Sequence, residues 1–224
     1  MLSYKETSEL LSSYGLPLVQ GILVQQIEEA VDAFERIAAS GGSNSNSACA
    51  LKLISSSRTH KSEGGFVRLG LLDGDSVAEA CREMLASLDQ GESYEGFLVQ
   101  PLIRSSRELI LGAHIDAQFG PLVALGPGGI LVDVLGGVDF LAAPFSLSEA
   151  QEFIGRNAAL PLLGPVRGAS AVHKGDLEAC LVALGKLIAE NTDRITSIDI
   201  NPLVILPQNG SLVALDFRAE GGAL

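Results

Sequence analysis

Apolar residues fall at helical spacing in some stretches of this chain and gather in short strand-like runs in the others. Ile27, Ala30, Val31, Phe34, Ile37 and Ala38 share one helix face, which predicts a helix over 27–39. Ser3-x-x-Glu6 and Ser146-x-x-Glu149 are capping boxes. The first opens a helix to about Ser13, stopped by Tyr14-Gly15-Leu16-Pro17; the second opens one to about Ile154, where Gly155 serves as the stop. Further helices are expected over 76–88 and, long and amphipathic, over 176–189. Strands are expected over 18–24, 48–54, 66–71, 97–100, 109–115, 121–125 and 130–134, with loops over 41–47 and 55–65. Pro101 should end its strand or push it to an edge. The chain closes with two apolar runs, 197–203 and 212–216, joined through Pro207-Gln208-Asn209-Gly210, whose Asn-Gly pair signals a hairpin. Helices mixed with antiparallel strands give an α+β class, and a boundary near residues 96–102 suggests lobes over 1–96 and 97–224.

Composition narrows the partners. A net charge of −12 argues against nucleic acid, which needs clustered Lys and Arg. Cys49, Cys81 and Cys180 lack metal or redox spacing and read as core residues of a reducing, cytoplasmic protein. The N-terminus has no signal-peptide architecture. The apolar stretch 119–145 is interrupted by glycines, Pro121, Pro127, Asp133 and Asp139, so buried strands are expected there rather than a membrane span.

Several polar residues sit where burial is costly. Asp199, Asn201 and Asp216 are hard oxygen donors inside apolar runs, a set that suits Mg²⁺. The hairpin would let Asn201 and Asp216 converge on one ion; a turn Asn and a strand-end Asp in solvent is the plainer reading. Lys52 lies in an apolar strand, where it either meets an anion such as a phosphate or faces water from an edge. His60 stands in the polar loop Thr59-His60-Lys61-Ser62-Glu63-Gly64-Gly65, which suits a general base, a phosphoryl acceptor or an ordinary surface loop. Gly126-Pro127-Gly128-Gly129 lacks the spacing of a Rossmann fingerprint. Glu108 opens an apolar strand, where it either approaches a metal or is simply solvated, and Arg167 lies in a glycine-flanked loop that suits an anion but equally any surface loop.

Taken in order, six segments resemble the ATP-grasp subunit of ADP-forming acyl-CoA synthetases, relatives of succinyl-CoA synthetase β chains. They are Leu51-Lys52-Leu53-Ile54-Ser55, the run from His60 to Gly70, Gln118-Phe119-Gly120-Pro121-Leu122-Val123, Gly126-Pro127-Gly128-Gly129-Ile130, Leu163-Gly164-Pro165-Val166-Arg167-Gly168 and Asp199-Ile200-Asn201-Pro202-Leu203. The resemblance covers nearly the whole chain. It implies an ATP-grasp fold, in which two α+β lobes clasp ATP or ADP. It implies nucleotide contacts from Lys52, Gly64, Gly65, Val99, Gln100, Gly128 and Gly129, and Mg²⁺ held by Glu108, Asn201 and Asp216. His60 would relay a phosphoryl group and Arg167 would assist catalysis. The implied reaction is acyl-CoA + ADP + phosphate = acid + CoA + ATP. It requires a CoA-binding α subunit or domain with its own phosphohistidine, hence a hetero-oligomer and no membrane. The alternative is a degenerate nucleotide-sensing module of a multidomain acyltransferase. Four departures from the family pattern bear on that choice: the inserted 43–47 segment, Pro101 in place of an acidic hinge residue, no arginine in Val138–Pro144, and His-Lys-Ser-Glu where His-Lys-Thr-Asp is commoner.

Overall fold

The computed structural model describes residues 1–40, 48–55, 65–89, 91–129, 137–166, 168–173 and 175–221. It divides into two compact units, one of residues 19–103 and one of residues 1–18 with 104–224.

The smaller unit is a four-stranded antiparallel sheet with two helices. Its strands are β1 (Ile22–Val24), β2 (Cys49–Ser55), β3 (Val67–Leu71) and β4 (Tyr94–Pro101), in the order β1-β4-β2-β3. Helices α2 (Ile27–Ser40) and α3 (Gly74–Ala86) pack on it and on each other, burying Phe34, Val77 and Met84 against Leu51, Leu53 and Phe97. Asp73 caps α3 by accepting from the Ser76 N–H at 2.7 Å, so the helix begins earlier than its apolar pattern suggested. Pro101 is the last residue of β4, as its missing N–H requires.

The larger unit is built on a sheet ordered β10-β8-β5-β6-β7, with β9 also paired to β8. Its strands are β5 (Glu108–Asp116), β6 (Gly120–Pro127), β7 (Asp139–Ala142), β8 (Ser197–Ile205), β9 (Leu212–Ala214) and β10 (Phe217–Glu220). Helices α4 (Leu147–Arg156), α5 (Leu160–Leu163) and α6 (Asp176–Glu190) belong to the same unit, and α6 packs on β5 and β6. Phe153, Leu181 and Leu184 bury the inward side chains Leu109, Leu111, Val123, Leu125, Ile198 and Ile200. The expected strand 130–134 lies outside the described residues.

The leading helix α1 (Tyr4–Ser13) was expected to belong to a lobe over residues 1–96 but packs on the larger unit. Its capping box is formed, and Leu11 is wholly buried in the larger core. Tyr4 stacks on Phe217 at 5.2 Å, and the Leu2 N–H donates to the Ala219 carbonyl at 3.0 Å. The other boundary also moves. β4 pairs Val99 with both Ile22 and Leu51, which draws residues 97–103 into the smaller unit. The cysteines are buried in core positions, and burial pushes their thiols up to about 11 (Cys49) and about 12 (Cys81, Cys180).

Removing the Leu11 side chain should therefore weaken the larger unit. Leu11→Ala is expected to cost about 2–5 kcal/mol. Hydrogen exchange should show lost protection in β5, β8 and β10 and none in β2 and β4; equal loss in both units would contradict the assignment of α1.

Candidate functional site

The oxygen donors cluster at a break in the β8 ladder. Ile198 and Ile200 point into the core, which sends Asp199 to the other face. The next residues buried against the core are Leu203 and Ile205, one position out of phase. β5 absorbs the shift with an irregularity between Leu109 and Leu111, leaving Asn201 and Pro202 opposite Ile110. The chain after β9 takes the same step: Ala214 pairs with Leu203 and Phe217 with Ile200, so Leu215 and Asp216 lie between them. The Asn201 N–H donates to the Asp216 carbonyl at 3.1 Å, and the Leu215 N–H to the Pro202 carbonyl at 3.0 Å. Asn201 is exposed and Asp216 half-buried. The hairpin that closes this arrangement turns at Gly210, φ +77°, as the Asn-Gly signal indicated.

Charge accumulates on the same strands. Asp199 stands opposite Arg218 in register, and their side chains approach to 3.7 Å. Burial raises the Asp199 carboxyl above its usual range; Arg218 pulls it back, while Asp216 and Glu220 push it up further. Arg218 was not singled out from sequence. Its spacing of two from Asp216 was the available signal, because alternate strand residues share a face.

Glu108 lies on β5 opposite Val204. The Gly128 N–H donates to its carbonyl at 2.7 Å. A Cβ on Gly129, φ +56°, would stand 2.8 Å from Glu108 Oε2, and one on Gly128 would stand 2.9 Å from the Glu108 carbonyl carbon. Both glycines thus make room for Glu108, beyond any approach to a phosphate. Among the described residues, no three His, Cys, Asp or Glu side chains gather as a metal cage. Two carboxylates and an amide fit Mg²⁺ even so, since that ion takes few protein ligands and keeps waters and phosphate oxygens.

The smaller unit holds its own polar residues. Lys52 is 7% exposed on an internal strand, paired in register with Leu98 and Val67, so the water-facing edge reading is excluded. Val99 is wholly buried and packs the core. Gln100 is 3% exposed, and its amide Nε2 finds no partner among the described residues. A buried unpaired amide is costly, and a ligand acceptor would satisfy it. Gly21 makes space there: a Cβ would fall 2.8 Å from Gln100 Cγ. Gly65 has φ +75°, and its carbonyl accepts from Arg68 Nη1 at 2.6 Å. His60, Gly64 and Arg167 lie outside the described residues.

The glycine–glutamate packing gives a direct test. Gly129→Ala should displace the Glu108 carboxylate and weaken Mg²⁺-dependent ADP binding about tenfold or more. Gly120→Ala carries a similar backbone cost, about 1–2 kcal/mol, at φ +74° with nothing within 4 Å. It should lower stability and leave affinity unchanged. Calorimetry on both variants decides; equal affinities would deny Gly129 this role.

Comparison with known proteins agrees with this architecture. A family model described as ATP-grasp domain matches residues 1–220. The β subunit of acetate–CoA ligase (ADP-forming) I from Pyrococcus furiosus is 31% identical over 219 residues, covering 95% of this chain and 88% of that subunit. The 4-hydroxybutyrate–CoA ligase (ADP-forming) of Nitrosopumilus maritimus is 30% identical over 217 residues, but this chain spans only 30% of its length. Among solved structures, the acetyl-coenzyme A synthetase 1 of Ca. Korarchaeum cryptofilum, in complex with coenzyme A and Ca-AMPCP, superposes with a TM-score of 0.86 at 31% identity, covering 99% of this chain and 93% of that one. The chain belongs to the ATP-grasp family, in the branch that contains the β subunits of ADP-forming acetate–CoA ligases.

Proposed function

We propose that this chain is the nucleotide-handling subunit or domain of an ADP-forming acyl-CoA synthetase, which interconverts acyl-CoA, ADP and phosphate with acid, CoA and ATP. The observation that carries the reading is the pairing of Asn201 with Asp216 at a break in the sheet, on a chain that matches such β subunits over nearly its full length. The donor chemistry suits a bound Mg²⁺, which would neutralise phosphate charge during transfer. In this reading Asn201, Asp216 and Glu108 hold the ion. Lys52 supplies a buried positive charge for phosphate oxygens. Gln100 donates its amide N–H to an acceptor on the nucleotide. Gly65, Gly128 and Gly129 allow close backbone approach, with Gly64 next to Gly65 in the sequence.

The matched Korarchaeum enzyme is also known bound to Mg-AMPPCP with a phosphohistidine segment directed at the nucleotide. By analogy a partner subunit or domain binds CoA and exchanges a phosphoryl group with this chain. His60 is the proposed acceptor here. A neutral imidazole, the main form at neutral pH, has a ring nitrogen free to attack the γ-phosphorus. The N–P bond forms as the bond to the ADP oxygen breaks, and ADP leaves with that electron pair. Arg167 is the proposed counter-charge to the moving group. Among the described residues no helix is long and apolar enough to cross a membrane.

Two variants test the reading. Asp216→Ala should keep the fold and weaken Mg²⁺–ADP affinity by more than the roughly 10–100-fold that an outer-sphere partner is worth to a metal site. Unchanged calorimetric affinity would remove Asp216 from the metal. His60→Ala should retain Mg²⁺–ADP affinity yet abolish phosphoryl transfer to the CoA-binding partner. Mass spectrometry under alkaline conditions should find phosphate on His60 of the native chain; its absence in an active complex would end the carrier role.

A further inference from the structure

The face of the larger sheet turned away from its core carries a charged row beside the metal donors. Phe217 and Ala219 are buried in the core, which turns Arg218 and Glu220 to the side that carries Asp199. Arg218 is in register with Asp199, and Asp199 with Gly112 on β5, which adds no side chain to this face. Two residues further along β8 stands Asn201, and two residues back from Arg218 stands Asp216; their backbones are joined at 3.1 Å. Burial, Asp216 and Glu220 all raise the Asp199 carboxyl while Arg218 lowers it, so three carboxylates gather around this guanidinium.

The Arg218–Asp199 contact is not that of a cross-strand pair built for stability. Its closest approach is 3.7 Å, from Nε, where a full charge-assisted hydrogen bond measures about 2.7–2.9 Å and an arginine–carboxylate pair is commonly two-pronged. Both side chains are partly exposed, 37% for Arg218 and 44% for Asp199, and an exposed pair of this kind adds little stability. Asp199 instead steadies the guanidinium on the face that bears the metal donors.

Distance and charge both suit a phosphate shared between that guanidinium and a bound Mg²⁺. Two residues of strand cover about 6.7 Å. A Mg²⁺–oxygen bond of about 2.1 Å and a guanidinium hydrogen bond of about 2.8 Å, made to two oxygens of one phosphate, reach across a similar separation. A phosphate approaching Asp199, Asp216 and Glu220 is repelled, and one divalent ion at Asp216 offsets only part of that repulsion. Arg218 is a second cation, and its planar fork matches phosphate oxygens.

We propose that Arg218 is a phosphate-binding residue: it meets the terminal phosphate of Mg²⁺–ATP from β10, while the metal held by Asn201 and Asp216 meets the same group from the other side. This rests on the function proposed above. In phosphoryl-transfer sites Mg²⁺ bridges the two outer phosphates. A further cation does most at the terminal group, which moves and whose charge shifts during transfer.

Calorimetry on the full chain tests this without the CoA-binding partner. Mg²⁺–AMPPCP, which has a third phosphate that cannot transfer, is compared with Mg²⁺–ADP, which lacks it. Arg218→Gln should weaken Mg²⁺–AMPPCP by about 10–100-fold, the worth of a hydrogen bond to a charged group, and leave Mg²⁺–ADP within about twofold of native. Binding stoichiometry counts folded sites, so misfolded molecules do not enter the affinity. The double variant Asp199→Asn, Arg218→Gln separates phosphate binding from neutralisation of Asp199. It should bind Mg²⁺–AMPPCP as weakly as Arg218→Gln. Recovery to within about twofold of native would overturn the proposal and leave Arg218 a counter-charge to Asp199. Unchanged Mg²⁺–AMPPCP affinity in Arg218→Gln would overturn it too, as would an equal loss for both nucleotides. A native chain that binds neither nucleotide contradicts the proposed function itself.

Discussion

Everything at the candidate metal site depends on one geometric fact: a β-strand can change the phase of its inward residues only if its neighbours change with it. Ile198 and Ile200 on one side of the break, and Leu203 and Ile205 on the other, all reach the same core. Two residues, Asn201 and Pro202, must fit where one would keep the alternation. The β5–β8 register shifts to take in the extra residue of β8, and Leu215-Asp216 repeats the step on the far side. The polar side chains thus stand where the ladder is already interrupted, and their ligand chemistry costs no regular sheet. Burial of about 25 cal/mol per Å² of apolar surface on either side keeps the register from slipping.

The smaller unit meets a related difficulty differently. Lys52 and Gln100 sit on interior strands that also carry the core residues Leu51, Leu53, Phe97 and Val99. A buried amide left unpaired weakens a protein by about 1–3 kcal/mol. Such a penalty persists where binding relieves it, and Gly21 leaves Gln100 space that any side chain would take. In the larger unit Gly129 does the same for Glu108.

The sequence carried the local features well. The capping boxes at Ser3 and Ser146, the α2 face and the Asn-Gly hairpin are read over a few residues, and all are found in the structure. Six short segments in order were enough to recognise the family. Long-range features were not legible. β7 and β10, four residues each, are too short to signal themselves, and β10 alternates apolar Phe217 and Ala219 with charged Arg218 and Glu220 over only that span. The place of α1 is decided by Phe217 and Ala219, some two hundred residues away in the chain. Arg107 looks like any arginine in Arg104-Ser105-Ser106-Arg107, because its partners are backbone carbonyls that carry no residue identity.

The placement of α1 also sets an order of events during synthesis. Residues 1–18 are made before the smaller unit, yet the surface that receives them includes β10, which is made after it. The smaller unit, residues 19–103, is continuous and complete long before that. Domains fold as units as they emerge, so the second unit to begin is the first able to finish. Until residue 220 is made, α1 waits as an unpartnered amphipathic helix, too short at 10 residues to be stable alone.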